Sequence, residues 1–256
     1  ERPMIVLGMG ALARPDGAAV LALARKIAED TGMVVEGWNG FNMLHTAAAR
    51  VGGMELGFVP GDGGRDVEGI LAGAESGAVE IVYLLGADEI DTARLAKAFV
   101  VYQGHHGDRG AECADVILPG AAYTEKNALY VNTEGRAQRA RLSHFPPGEA
   151  REDWKILRAL SAALDATLPY DTLEQLRARL ESASPVFGAY DRIVPADWGT
   201  FGTEGELDTA PFASPIADFY RTDPVSRASE TMAQCAEIIA PGMGEKTRQE
   251  KTGTDG

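Results

Sequence analysis

The chain has 256 residues, with 24 lysines and arginines against 38 aspartates and glutamates, which gives a formal net charge of −14. A chain this acidic is a poor candidate for nucleic-acid binding, because phosphate neutralisation needs clustered Lys and Arg. Its 45% hydrophobic content is typical of a globular protein. Because its apolar runs are shorter than the roughly 20 residues of a membrane-spanning helix, we expect no direct membrane insertion.

Two cysteines, Cys113 and Cys235, occur in the chain and lie far apart. An iron–sulfur cluster normally has four thiolate ligands, so this chain alone does not provide enough of them. Two distant cysteines also exclude a disulfide framework. The chain starts with Glu1 and a strand follows almost at once, so we expect it to be a piece of a longer polypeptide.

Short apolar runs alternate with segments of helical periodicity as far as Pro119. Strands are predicted at residues 4–7, 33–35, 79–86, 99–102 and 115–119, and helices at residues 18–29, 42–51, 66–76 and 91–98. This alternation is typical of an α/β fold, with a mostly parallel twisted sheet and helices on both of its faces.

The pattern changes after Pro119. The remaining predicted elements are a loop or hairpin within residues 129–142, helices at 152–164, 172–180 and 226–239, and an irregular segment at 185–215. We therefore expect an α/β domain over residues 1–165, a helical and irregular C-terminal extension over 166–240, and a flexible tail over 241–256, which has almost no apolar content.

A glycine-rich turn follows the first predicted strand. Its sequence, GMGALA at residues 8–13, matches the G-x-G-x-x-A pattern of dinucleotide-binding turns. The next helix is expected to start at Pro15 and Asp16, which makes the loop long for that pattern and places a negative charge where a phosphate would bind. A structural turn is the favoured interpretation, and an NAD-binding dehydrogenase is the alternative.

Two polar clusters have competing interpretations. His105 and His106, near Asp108, could suggest a metal site, but adjacent histidines rarely point at one ion, and a hydrogen-bonded loop is the favoured interpretation. A cationic cluster either docks an anionic partner, once held a phosphate, or forms a solvated strand face. Its members are Arg136, Arg139, Arg141, His144 and Arg151.

A more specific pattern lies between residues 101 and 138. It consists of VYQGHHGD at 101–108, ADVILPGAAYTEK at 114–126 and YVNTEGRAQ at 130–138. The pattern resembles the molybdopterin oxidoreductase family, and in its details the large iron–sulfur subunits of respiratory complex I, the NADH-quinone oxidoreductases. The resemblance continues through residues 151–156, 168–173, 218–220 and 226–232.

The resemblance implies a C-terminal, scaffolding part of such a subunit. In the parent complex, electrons pass from NADH through FMN and iron–sulfur clusters to quinone, coupled to proton pumping. The 4Fe-4S and 2Fe-2S clusters lie in an N-terminal region that this sequence lacks, so no cofactor, metal ligand or catalytic residue is expected here. The implied partners are the cluster-bearing part of the same subunit and other peripheral-arm subunits. The implied location is the cytoplasmic side of a bacterial inner membrane or the matrix side of a mitochondrial one.

Catalytic members of the family hold a pterin dinucleotide with this type of domain. The resemblance therefore places a vestigial pocket near the ends of the strands, with the candidates Gly86, Asp88, Gly104, Asn132 and Glu134. If the pocket is a remnant, the Asn132–Arg136 segment is expected to form a tight turn held by local hydrogen bonds. The alternative is a catalytic molybdopterin oxidoreductase similar to formate dehydrogenase, in which these residues would contact the cofactor.

Overall fold

A computed structural model gives the structure of the chain and describes residues 2–239. The chain divides into two compact units that interleave along the sequence. Among the described residues, unit 1 comprises residues 2–58, 129–139 and 177–215, and unit 2 comprises residues 59–128, 140–176 and 216–239. The predicted domain boundaries stay a prediction, and the predicted tail over 241–256 lies outside the described residues.

Within residues 2–239, strands and helices are mixed along the chain. In chain order they are β1 (Ile5–Gly8), α1 (Met9–Leu12), α2 (Gly17–Asp30), β2 (Val34–Val35), β3 (Trp38–Asn39), β4 (Phe41–Leu44), α3 (Arg50–Glu55), α4 (Val67–Ser76), β5 (Ile81–Leu85), β6 (Phe99–Gly104), α5 (Arg109–Glu112), β7 (Val116–Pro119), β8 (Ala128–Val131), β9 (Ala137–Ala140), α6 (Asp153–Ala163), α7 (Leu173–Ala183), α8 (Pro224–Arg227) and α9 (Glu230–Ile239). Short 3-10 turns occur at Thr92–Leu95 and Pro185–Phe187. None of these helices has the length and apolar character to span a bilayer.

Unit 1 contains a parallel pair of strands, in which β1 lies beside β4 with Ile5 opposite Phe41. The ring of Phe41 packs edge-on against Trp198, with ring centroids 5.3 Å apart. The helix predicted over residues 42–51 is therefore wrong, because the chain forms β4 there and α3 only from Arg50. An apolar run this short has no periodicity that separates a buried strand from a helix.

For residues 129–142 the prediction left a loop and a hairpin open, and the structure shows strands β8 and β9, which pair with one another. Their buried residues pack with the 3-10 turn of the same unit. This small core contains Val131, Ala137, Val186 and Phe187.

Unit 2 is built on a three-stranded parallel sheet in the order β5-β6-β7. Its strands match the predicted ones, and α4 covers one face. The core on that face contains Leu71, Ala74, Val82, Leu84, Leu95, Val100 and Tyr102. The expected mixed α/β class with parallel strands is confirmed.

The opposite face of this sheet exposes several apolar side chains among the described residues, although its Gln103 is buried. Ile81 is 66% exposed and Phe99, its partner in the register, is 48% exposed. Both faces of a parallel sheet are usually covered. The expectation that helices cover both faces therefore stays a proposal.

Two further predicted helices differ from the structure. Over residues 91–98 the chain forms only the single 3-10 turn, which Asp91 caps by accepting from the Ala93 amide at 3.2 Å. The helix predicted over residues 226–239 is split into α8 and α9, and it begins earlier, at Pro224, which fits the first turn because proline lacks an amide proton.

Candidate functional site at the carboxyl edge of the parallel sheet

The carboxyl ends of β5 and β6 place several predicted site residues at one edge of the unit 2 sheet. Gly86 and Asp88 follow β5, and Gly104 is the last residue of β6. Gly86 has a φ of 59° and donates its amide to the Gln103 carbonyl at 2.7 Å. In open parallel sheets this edge is where ligands bind.

Asp88 is the most buried charged group at this edge, with 1% of its residue surface exposed. Its Oδ1 accepts a hydrogen bond from Nη2 of Arg227 at 2.5 Å. Its Oδ2 accepts from the Gly110 amide at 3.3 Å. Both carboxylate oxygens are therefore occupied by groups of the same unit.

A second buried carboxylate, Asp108, binds the same guanidinium. Arg227 donates from Nε to Asp108 Oδ2 at 2.5 Å and from Nη1 to Glu89 Oε1 at 3.3 Å. Asp108 Oδ1 accepts from the Arg109 amide at 2.9 Å and so caps α5. Burial alone would lower the pKa of Arg227, but the bond to Asp108 and the charge of Asp88 raise it above the ordinary value.

Tyr102 and Gly110 pack next to Asp88 in this cluster. The Tyr102 ring is 2% exposed, and burial together with the nearby charges of Asp88 and Asp108 raises the pKa of its hydroxyl to about 12. A Cβ on Gly110 would lie 2.5 Å from Tyr102 Cε2 and 3.1 Å from Asp88 Cβ. A glycine is therefore required where α5 passes over the ring.

Beside Gly104, a chain of polar side chains lines the same edge. Tyr83 donates its hydroxyl to Gln103 Oε1 at 2.5 Å, and Gln103 donates from Nε2 to Asp153 Oδ1 at 2.9 Å. Lys126 donates to Asp153 Oδ2 at 2.5 Å. The fully buried Gln103 is thus satisfied on both sides, which ties β6 to the start of α6.

His105 and His106 lie next to this chain, with their Nδ1 atoms 2.7 Å apart. Burial, reinforced by the positive charges of His106 and Lys126, lowers the pKa of His105. The two rings are hydrogen-bonded to one another at the end of β6, a contact that a hydrogen-bonded loop would make.

The other two predicted pocket residues, Asn132 and Glu134, lie in unit 1 on the turn between β8 and β9. Asn132 Oδ1 accepts from the amides of Glu134 and Arg136, both at 3.0 Å. Glu134 Oε2 in turn accepts from Arg136 Nε at 3.3 Å. The predicted tight turn with local hydrogen bonds is confirmed, and Gly135 supplies the left-handed position with a φ of 79°.

The glycine-rich turn at residues 8–13 is packed against its own unit. It forms the one-turn helix α1 immediately after β1, so the helical start expected at Pro15 is preceded by an extra turn. A Cβ on Gly10 would lie 2.8 Å from Cδ of Pro215. Asp16 accepts from Nε of Arg14 and from the Asp208 amide, both at 2.8 Å. These contacts favour the structural turn, because the close approach at Gly10 is made by the chain itself.

The predicted cationic cluster is engaged in local contacts at four of its positions, one of them His144, whose Nε2 lies 3.3 Å from Glu125 Oε1. Arg136 donates to the Asp191 carbonyl at 2.5 Å, and Arg139 stacks 3.6 Å from the centre of the Tyr190 ring. Arg151 donates to the Ala150 carbonyl at 2.9 Å. These interactions fix the side chains against nearby loops.

The side chains present can be tested against the cofactors that the family resemblance implies. The whole chain has two cysteines, and within residues 2–239 no cluster of three or more His, Cys, Asp or Glu side chains is arranged to hold a metal ion. At the carboxyl edge, both oxygens of Asp88 are taken by Arg227 and Gly110. Two thiols are fewer than an iron–sulfur cluster normally needs, and both oxygens of Asp88 are already paired within unit 2.

The sequence reasoning missed the pairing of Arg227 with Asp88 and Asp108 at this edge. Arg227 is 139 residues from Asp88 along the chain, and no local pattern links them. One feature of the sequence does indicate part of this arrangement. Asp108 follows a predicted parallel strand, as Asp88 does, so both carboxylates are expected at the same edge of the sheet.

Comparison with known proteins identifies the family. Residues 1–163 match the family model for molybdopterin oxidoreductases. The chain belongs to the molybdopterin oxidoreductase family. A second model, for the C-terminal part of the G-type subunits of NADH-ubiquinone oxidoreductase, matches residues 193–235, which confirms the more detailed resemblance.

Curated relatives from several organisms align with nearly the whole length of this chain. The NADH-ubiquinone oxidoreductase 75 kDa subunit of Reclinomonas americana is 42% identical over 243 residues, which is 93% of this chain and 34% of the relative. The mitochondrial 78 kDa subunit of Candida albicans is 43% identical over 263 residues, 98% of this chain and 35% of the relative. The corresponding 78 kDa subunit of Neurospora crassa is 43% identical over 267 residues, 96% of this chain and 34% of the relative. The chain thus spans about a third of the length of these relatives.

Proposed function

We propose that the chain serves as the cofactor-free, C-terminal scaffold of a complex I large iron–sulfur subunit. The observation that carries this proposal is the identity of 42–43% to 75 kDa and 78 kDa subunits over more than nine-tenths of the chain. The match of residues 193–235 to the C-terminal part of the G-type subunits supports the same placement.

In the proposed parent complex, electrons pass from NADH through FMN and iron–sulfur clusters to quinone, and the transfer is coupled to proton pumping. Electron transfer needs redox centres, and two cysteines are too few to hold a cluster. This chain therefore contributes structure: it holds the cluster-bearing part of the same subunit and neighbouring peripheral-arm subunits in place. Its location is then the cytoplasmic side of a bacterial inner membrane or the matrix side of a mitochondrial one.

The predicted pocket residues act as structural remnants in this proposal. Asp88 binds Arg227, and Asn132 and Glu134 bind amides and side chains of their own turn. Gly86 and Gly104 lie at the ends of β5 and β6, where Gly104 accepts the Gly120 amide at 2.8 Å. Each group has a role that does not need a cofactor, which is why the sequence pattern would persist without one.

A deletion experiment tests the scaffold role. In an organism whose complex I contains this chain, the coding segment for the 256 residues is removed, and complex assembly is followed on native gels with iron–sulfur signals followed by electron paramagnetic resonance. The expected result is loss of the assembled complex at a stage when the cluster signals of the remaining subunit are still present. The matched control restores the intact segment on a plasmid. A deletion strain with normal assembly and normal NADH-quinone turnover would contradict the scaffold role.

The alternative, a catalytic molybdopterin oxidoreductase, has one observation in its favour, the family match over residues 1–163. Elemental analysis of the intact parent protein separates the two. The scaffold proposal expects iron without molybdenum or tungsten, whereas a stoichiometric amount of either metal would support the catalytic alternative.

A further inference from the structure

The segment of unit 2 from residue 216 to residue 239, which we term the latch segment, presents one buried cation to the rest of its unit. Asp223 begins α8 with a capping box: its Oδ1 accepts from the amides of Val225 and Ser226, at 2.9 and 3.0 Å, and Ser226 Oγ accepts from the Asp223 amide at 3.1 Å. These bonds fix a single rigid turn, and Arg227 is its last residue. The guanidinium is therefore positioned by local structure before it meets its partners.

The partners of Arg227 match the shape of a guanidinium. Its Nε, Nη1 and Nη2 atoms each meet a different carboxylate, those of Asp108, Glu89 and Asp88 respectively. An ammonium group is a compact point charge, whereas a guanidinium presents its donors in a planar fork with fixed directions. The arrangement of the three carboxylates therefore favours a guanidinium over an ammonium group.

Burial separates this cluster from an ordinary surface ion pair. The side chains of Arg227, Asp88 and Asp108 are 8%, 1% and 4% exposed. The oxygens that do not face Arg227 accept the amides of Gly110 and Arg109. Since every carboxylate oxygen of the two buried aspartates is paired, loss of the cation would leave two buried negative charges without compensation.

We propose that Asp88, Asp108 and Glu89 form a guanidinium-binding site at the carboxyl edge of the β5–β7 sheet, and that Arg227 is its built-in occupant, which latches residues 216–239 onto unit 2. The ligand class of the site is a planar guanidinium cation. The edge where parallel sheets usually bind external ligands is then filled by the chain itself. This inference depends only on the contacts within unit 2 and does not rest on the proposed function.

The test removes the occupant and supplies a substitute. In the full 256-residue chain, Arg227→Ala is expected to release the latch segment and to raise the thiol-labelling rate of Cys235 on α9 by at least about tenfold, because local opening exposes a partly buried group. Labelling is read by peptide mass spectrometry, so Cys235 is measured separately from Cys113. Millimolar methylguanidinium is expected to return the Cys235 rate towards the wild-type value, and methylammonium at the same concentration is expected to have no effect.

Two control variants sharpen the outcome. Arg221→Ala removes a cation of the same segment whose Nε lies 2.6 Å from Asp218 Oδ2, outside the proposed site, and is expected to leave Cys235 labelling unchanged. The double variant Asp88→Asn, Arg227→Ala lacks part of the site, and is expected to lose the effect of methylguanidinium. Absence of rescue in Arg227→Ala, equal rescue by methylammonium, or rescue that persists in the double variant would overturn the proposal.

A third variant covers the case in which Arg227→Ala does not fold. Arg227→Lys keeps the charge and the apolar stem but lacks the fork, so it cannot meet three carboxylates at once. We expect faster Cys235 labelling than in the wild type. Labelling at the wild-type rate would show that any cation suffices and would refute a guanidinium-selective site.

Discussion

At the scale of single residues, the carboxyl edge of the β5–β7 sheet leaves little freedom for substitution. The space around Gly110 is filled by Tyr102 and Asp88. The Tyr102 ring is buried, and the Asp88 carboxylate is paired with Arg227. The family resemblance placed Asp88 near the ends of the strands, and the strong strand pattern that precedes it agrees with that position. The pairing with Arg227 was not predictable, since contacts between distant positions leave no local periodicity.

Gly110→Ala tests this packing. The new Cβ would meet the Tyr102 ring at 2.5 Å, and the ring cannot move away because it is buried. We expect a loss of about 1–3 kcal/mol in the free energy of unfolding, the usual cost of overpacking, measured by urea denaturation. The matched control is Gly107→Ala, whose Cβ would have no neighbour within 4 Å. Equal stability of the two variants would contradict the assigned packing.

Asp16 gives a prediction for pH dependence. The hydrogen bond from Arg14, followed by that from the Asp208 amide, lowers the pKa of Asp16 from the ordinary 3.8 to about 2. A lowered pKa stabilises the folded state above pH 4, and this contribution is lost as the pH falls towards 2. We therefore expect Asp16→Asn to be less stable than the wild type at pH 6, with the difference shrinking between pH 4 and pH 2 in urea denaturation series. A difference that stays constant over that range would show that the carboxylate charge is not responsible.

At the scale of elements, capping residues define several helix starts that the sequence predicted well. Asp66 caps α4 by accepting the Gly69 amide at 2.8 Å, and the predicted helix at 66–76 agrees with the structure to one residue. The β5 and β6 strands were equally predictable from their continuous apolar runs. The segment at residues 42–51 was not, because β4 depends on pairing with β1 and on the ring of Trp198, which is far from Phe41 along the chain. Here tertiary contacts override the local pattern.

Asp66→Ala tests the cap of α4. Loss of the side-chain acceptor leaves the Gly69 amide without its partner, and we expect destabilisation of about 0.5–2 kcal/mol, the typical cost of removing such a cap. Asp62→Ala, which removes an exposed carboxylate from the preceding loop, controls for the change in charge. Thermal unfolding of the two variants side by side measures the difference, and a comparable shift in both would assign the effect to charge instead of capping.

At the scale of the whole molecule, the two interleaved units explain why domain boundaries are difficult to read from the sequence. Unit 1 takes the strand pair β8–β9 from the middle of the chain, and unit 2 takes the latch segment from its end. The amino-acid composition of a segment does not show which other segments it packs against. The class of fold was predictable from the alternation of elements, whereas the assignment of segments to units was not.

The exposed apolar side chains of β5 and β6 are expected to affect how the isolated polypeptide behaves in solution. At a net charge of −14, neighbouring copies repel one another over the Debye length, which falls from about 30 Å at 0.01 M salt to about 8 Å at 0.15 M. At low ionic strength this repulsion keeps Ile81 and Phe99 of different molecules apart, and added salt removes it while the hydrophobic attraction remains. Dilute buffer is therefore the condition for colloidal stability, and raising the salt concentration to suppress aggregation would have the opposite effect.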